Sequence, residues 1–147
     1  MRDYQIIKAW KLADEVTVEI YKATKLFPKD ELYGITSQIR RSASSVPANI
    51  VEGASRHSQK DYLHFLYIAR GSLHETHYFV HLAGRLGYLD SSSKERLTEQ
   101  AEAASRTLTG LIKAVEKEAG VIGRSIAKAS SFLAISLSSV FGLQSLV

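Results

Sequence analysis

Two arginines side by side, Arg40 and Arg41, and three further cations, Arg56, Lys60 and Arg70, are the side chains here best suited to binding an anion. A guanidinium presents a planar fork of donors that matches a phosphate, so these five are candidate nucleic-acid contacts. Pairing with acids is the competing reading: Glu52 stands four residues before Arg56, and Asp61 follows Lys60. Arg40 and Arg41 have no acid three or four residues away, so a carboxylate partner must come from another element. No aromatic residue lies between Tyr33 and Ser58, so the interleaving that stacks bases is missing from that segment.

The histidines form a second cluster. His74, His77 and His81 are three and four residues apart, which puts them within about 60° of one another on a helix. His77 and His81 have the spacing that clips zinc or nickel. The patch flanks the apolar stripe of its segment, and a boundary or subunit-interface surface is the plainer reading. Di-metal bundles need Glu-x-x-His pairs on facing helices; this chain has none, and Asp61-x-x-His64 stands alone. There is no GxGxxG, no GK[ST], no GxSxG and no cysteine. Glu52 has no second acid–base group placed beside it by sequence. The expectation is therefore no catalytic residue, no metal and no cofactor.

These residues must be positioned by helices. Ile6, Trp10, Ala13, Thr17, Ile20, Thr24 and Phe27 alternate three and four apart, until Pro28 pushes the residue before it out of the α region. The second stripe is Ile39, Ala43, Val46, Ile50 and Ala54, with Thr36 as the expected N-cap. Ser58 is the expected N-cap of the third, whose stripe Tyr62, Leu66, Ala69, Leu73, Val80 and Ala83 ends at Gly87. The fourth opens at Ser91-Ser92-Ser93 and carries Leu97, Ala101, Ala104, Leu108, Leu111 and Val115. Short connections make sequential helices antiparallel. The fold class is all-α, an antiparallel up-down-up-down four-helix bundle over residues 1–118.

Within the second segment Pro47, Asn49, Glu52 and Gly53 form a structural signature. Proline costs about 3 kcal/mol inside a helix, so Pro47 implies close packing around a tolerated kink. Gly53 implies close helix approach, with Asn49 and Glu52 satisfying polar groups in the interior or at an interface.

Composition sets bounds. The chain has 147 residues, long enough for one self-sufficient core, and a net charge of +4 with no cysteine. All the acids fall within residues 1–118, whose net charge is only +2; Arg124 and Lys128 supply the rest. A mild basic excess favours an anionic partner without specifying one. The charged amino terminus lacks a signal-peptide core, so the expected compartment is the cytoplasm. Residues 119–147 have no acid, and serines dilute their apolar content below that of a membrane span. Ser131, Ser138 and Ser145 recur every seven residues beside Leu133, Leu137 and Val140, the pattern of an amphipathic helix that packs on a partner.

Several motifs in order resemble one family. They are Trp10-Lys11-Leu12-Ala13, then IYKATKLFPKDELYGITSQIRRSASSVPANIVEGASR, then YLHFLYIARGSL from Tyr62, and LAGRLGYL from Leu82. The chain resembles the four-helix bundle proteins encoded in intervening sequences of bacterial 23S ribosomal RNA genes. The resemblance implies a bundle that assembles into a ring, usually a homopentamer, with a nucleic-acid association and no established enzymatic activity. Arg40, Arg41, Asn49, Glu52, Gly53 and Arg56 match the family's pattern. Two departures stand out: Gly71-Ser72-Leu73-His74-Glu75-Thr76-His77 where relatives read GSLxELE, and the serine-rich tail.

The sequence thus points to a non-enzymatic homo-oligomer that binds RNA or ribosomal components through basic side chains. The alternative is a protein-interaction scaffold with no nucleic-acid role.

Overall fold

The computed structural model describes residues 2–141, and the side chains of residues 2–120. Four helices follow one another: α1 (Lys8–Ala23), α2 (Ile35–Ser55), α3 (Gln59–Arg85) and α4 (Ser91–Phe141). Each packs along its neighbours in the order α1, α2, α3, α4 and back to α1, which closes the bundle. The boundary expected after residue 118 falls inside α4. The serine and leucine stripes expected beyond it lie outside the described side chains.

The stripes of α2 and α3 are buried as expected, Ile39, Ile50, Leu66 and Ala69 completely. Two others need correction. Ile6 is 74% exposed, because it belongs to a 3₁₀ turn, Tyr4–Ile6, that precedes α1; Ala9 and Val16 enter the core instead. On α4 the buried residue is Ile112, with Leu111 at the margin. Val115, the next position of the expected stripe, is buried again, so the stripe departs from its expected register at that one turn.

The ends of the helices follow local chemistry. Phe27, before Pro28, is extended with φ −68° and ψ 153°, as a residue preceding proline must be. Ser58 caps α3, its Oγ accepting from the Asp61 amide at 3.0 Å. Gly87 takes φ 75°, and the Tyr88 amide reaches back to the Ala83 carbonyl at 2.9 Å, closing the left-handed cap. Asp90 starts α4 by accepting from the Ser93 amide at 2.7 Å, and this bond holds its carboxyl below the usual range.

Thr36 is not the cap of α2. The helix begins at Ile35 with Gly34 before it, and the carboxylate of Glu31 accepts the Ile35 amide at 3.1 Å. A Cβ on residue 34 would meet that carboxylate, which would have to swing away from the Ile35 amide. Thr36 is 3% exposed, one position inside the helix.

Pro47 sits buried in the interior of α2. It donates no hydrogen bond, so the carbonyl of Ala43, four residues earlier, loses its helical partner. The Thr17 hydroxyl of α1 fills that place at 2.9 Å, and is equally close to the Ala13 carbonyl of its own helix. The hydroxyl lies within hydrogen-bond reach of two carbonyls, one on each helix. The signature proline therefore docks α2 on α1.

Towards α3 the same helix presents small residues. Ser42 meets Thr76 at 3.1 Å and Ser45 meets Ser72 at 2.9 Å, while the Asn49 amide nitrogen donates to the Ser45 carbonyl at 2.7 Å. At Gly53 an added Cβ would stand 3.0 Å from both the Phe65 Cβ and the Tyr62 ring, so the helices meet almost backbone to side chain. Glu52 is exposed, outside the bundle interior, and pairs with Arg56 as its spacing allows.

The Thr17–Ala43 contact gives a quantitative expectation. Thr17→Val strands the Ala43 carbonyl and costs about 1–3 kcal/mol. In a Pro47→Ala background the amide of residue 47 is restored, and the same change costs at least ~0.5 kcal/mol less. A double-mutant cycle by urea denaturation reads this coupling; strict additivity would remove the proline–threonine link.

Candidate nucleic-acid interface

Adjacent residues on a helix point about 100° apart. Because α2 lies between α1 and α3, its neighbouring arginines are sent to opposite flanks. Arg40 turns to α1, where its Nε donates to the Thr24 hydroxyl at 2.7 Å and its guanidinium lies 5.0 Å from the Tyr21 ring centre. Arg41 turns to α3 and meets the Glu75 carboxylate at 2.5 Å. The partner from another element thus exists for Arg41. Arg40 has a hydroxyl and a ring, and no carboxylate, among the described residues.

Arg56, at the far end of α2, pairs with Glu52 and lies 5.0 Å from the Phe65 ring centre. Arg70 on α3 covers Tyr67 at the same distance. Lys60 is exposed and lines a shallow cleft of about 420 Å³ with Leu63, His64, Tyr67 and Ala119. Tyr67 in turn donates to Glu116 of α4.

The five cations do not converge. Arg40 belongs to the α1–α2 flank, Arg41 and Arg56 to the α2–α3 flank, and Lys60 and Arg70 to the α3–α4 side. Arg40 and Arg56 are about 24 Å apart along α2 at 1.5 Å per residue. What the fold adds is aromatic support. Three of the four candidate arginines lie over rings, two of which, Tyr21 and Phe65, come from other helices. The interleaving missing from the α2 sequence is assembled across the bundle.

Sequence reasoning missed the surroundings of Arg40. With Lys25, Lys29, Thr24, Thr36 and Phe27, Arg40 lines a cleft of about 250 Å³ between the α1–α2 connection and the start of α2. The signal was the pair of lysines flanking Leu-Phe-Pro, which read only as a helix stop.

His77 is half-buried, and His74 and His81 are exposed. Among the described residues no three of His, Asp and Glu come together as metal ligands. Burial holds the His77 imidazole below its ordinary range; His74 adds to this and Glu102 of α4 opposes it. No helix among the described residues is long and apolar enough to cross a membrane.

Residues 5–110 match the sequence model of the 23S rRNA-intervening sequence protein. The chain belongs to that family. A solved relative has the same fold: a protein of unknown function from the S23 ribosomal protein family of Bacteroides thetaiotaomicron VPI-5482, 27% identical, with a TM-score of 0.66. The similarity covers 71% of this chain and 98% of the relative. No curated protein matches the chain. The family match takes in all five candidate cations and the signature of α2, and it stops within α4 at residue 110.

For this member of the 23S rRNA-intervening sequence protein family, His77 sets a pH dependence. A histidine whose folded pKa lies below its unfolded value binds its proton more readily in the unfolded chain. Its contribution is present above pH ~6.5 and is lost as the pH falls through that value towards the folded pKa. Urea midpoints measured from pH 7.5 downwards are expected to fall, and to fall less steeply in His77→Gln; identical slopes would show that His77 does not carry the effect.

Proposed function

We propose that the protein is a non-enzymatic homo-oligomer that binds RNA or ribonucleoprotein. The observation that carries this reading is the set of arginine–aromatic layers on three flanks of the bundle: Arg40 on Tyr21, Arg56 on Phe65 and Arg70 on Tyr67. A guanidinium over a ring leaves its donor edge for a phosphate and extends a flat face for a base. Arg40, Lys60 and Arg70 have no carboxylate partner among the described residues, so a phosphate need not displace one. The family's name, which ties it to 23S rRNA intervening sequences, agrees with this.

Assembly makes a scattered set of cations useful. Phosphate contacts add across copies, so weak sites on each protomer become one multivalent surface. The outer face of α3 supports self-association. Tyr67, Gly71, His74 and Tyr78 follow at helical spacing, all exposed, and Tyr78 is 58% exposed. Ile68 lies beside this stripe, 38% exposed. An aromatic stripe facing solvent along a helix suits contact with another copy. A protein-interaction scaffold is the second reading, and the same stripe is what favours it.

Two measurements test the proposal. On structured RNA, log K should fall linearly with log salt, and the Lys60→Ala/Arg70→Ala double variant should lower the slope by about 2. Arg40→Ala/Arg41→Ala should weaken both affinity and slope; if both stay unchanged in a folded variant, these arginines are not phosphate contacts. No binding at about 50 mM salt would favour the scaffold. Separately, light scattering should give a multiple of the 16.3 kDa chain mass, and Tyr78→Arg should reduce it to the monomer. A monomeric parent protein would overturn the oligomer.

A further inference from the structure

We propose that the cleft between the α1–α2 connection and the start of α2 binds a phosphate-type oxyanion, held by Lys25, Lys29, Arg40 and Thr36. The site deepens the RNA reading at Arg40, yet stands without it.

Charge comes first. Three cations line the cleft and no carboxylate does. The acids of the same turn are directed elsewhere or stand aside. Glu31 accepts the Ile35 amide and the Tyr88 hydroxyl, each at 3.1 Å, and Asp30 does not line the cleft. Lys25 and Lys29 are exposed and have no ion pair among the described residues. Arg40 is already oriented: the Thr24 hydroxyl takes its Nε at 2.7 Å and Tyr21 supports its plane. Its two terminal nitrogens remain for a ligand, and an oriented guanidinium loses little freedom on binding.

The second observation is independent of charge. Thr36 lines the cleft, is 3% exposed, and its hydroxyl has no hydrogen-bond partner. Buried polar groups almost always have a partner, because an unmatched one gives up its hydration for nothing. A hydroxyl donor among three cations has the partner it lacks when an acceptor-rich anion enters.

The ligand class follows from these groups. A phosphate monoester carries about two negative charges and three strong acceptor oxygens, enough to engage two ammonium groups, a guanidinium and a hydroxyl together. A volume of about 250 Å³ accommodates one such group with a few waters. A phosphodiester has a single charge and offers fewer free oxygens, so a terminal or free phosphate fits better. Two sources share this chemistry: a small phosphorylated molecule and the 5′-phosphate end of an RNA.

Inorganic phosphate, titrated into the full chain at low ionic strength and followed by calorimetry, should bind saturably with Kd on the order of 1 mM or tighter. Chloride at matched ionic strength should not compete. Lys25→Ala/Lys29→Ala, two exposed positions, should weaken phosphate by about tenfold or more. Thr36→Val should also weaken it while raising the thermal midpoint of the free protein, since the unmatched hydroxyl is gone. Opposite signs on binding and stability are not expected of a merely structural threonine. Comparison of 5′-phosphorylated with 5′-hydroxyl oligoribonucleotides identifies the source. A preference for the phosphorylated end that disappears in the double variant assigns an RNA terminus; equal binding assigns a small phosphate. No saturable phosphate binding beyond the chloride control, or unchanged affinity in both variants, overturns the site. RNA binding that survives such a result leaves the broader reading intact, and phosphate binding without RNA binding overturns only that reading.

Discussion

The carbonyl of Ala43 is the point on which the arrangement of α1 and α2 turns. Proline at position 47 withdraws its helical partner, and a buried carbonyl without a partner is costly. The Thr17 hydroxyl supplies the bond at 2.9 Å. A hydroxyl reaches only a short distance, so this bond ties the two helices together at that register. An apparent defect in α2 becomes a specific joint. On its other side α2 meets α3 through Ser42, Ser45 and Gly53, where small side chains let the backbones approach and hydroxyls satisfy one another. One helix is thus clamped on two faces, by a polar bond and by close approach.

That clamping decides where the cations go. With both flanks of α2 occupied, Arg40 has α1 beside it and Arg41 has α3. Identical neighbours in sequence acquire different chemistry: Arg41 is neutralised by Glu75, and Arg40 is held by a hydroxyl and a ring. Arg56 and Arg70 also rest on aromatic faces, and Arg56 is ion-paired with Glu52 as well. Rings hold guanidinium groups flat without neutralising them. Where no carboxylate joins the ring, as at Arg40 and Arg70 among the described residues, the charge stays available.

Much of the fold was legible because it rests on local rules. The four apolar stripes, the Ser58 cap and the glycine stop after α3 are consequences of helical period and of orphaned amides and carbonyls, which act over a few residues. The misreadings have equally local causes. Thr36 looked like an N-cap, but Glu31 reached the Ile35 amide first, from a turn that periodicity does not reveal. Leu111 and Ile112 stand on either side of the centre of the α4 stripe, and Ile112 is the more deeply buried of the two. Ile6 matched the stripe by spacing but lies in the 3₁₀ turn before the helix begins.

The candidate site was legible only in part. Its residue types could be named from the chain: Arg40, Arg41, Arg56, Lys60 and Arg70 are basic, and the family motifs stand in plain order. Their distribution could not, because a side chain's partner is set by which helix comes to lie beside it. Tyr21 is nineteen positions before Arg40, and Glu75 is thirty-four after Arg41; no periodicity links residues so far apart. The gathering of Lys25, Lys29, Thr36 and Arg40 around one cleft belongs to the same category. By itself the sequence determined the helices, their order and the family, since these depend on short-range spacing and on shared motifs. Tertiary structure alone decided which cations are neutralised, which rest on rings and which share a cleft, because electrostatics acts through space and takes no account of distance along the chain.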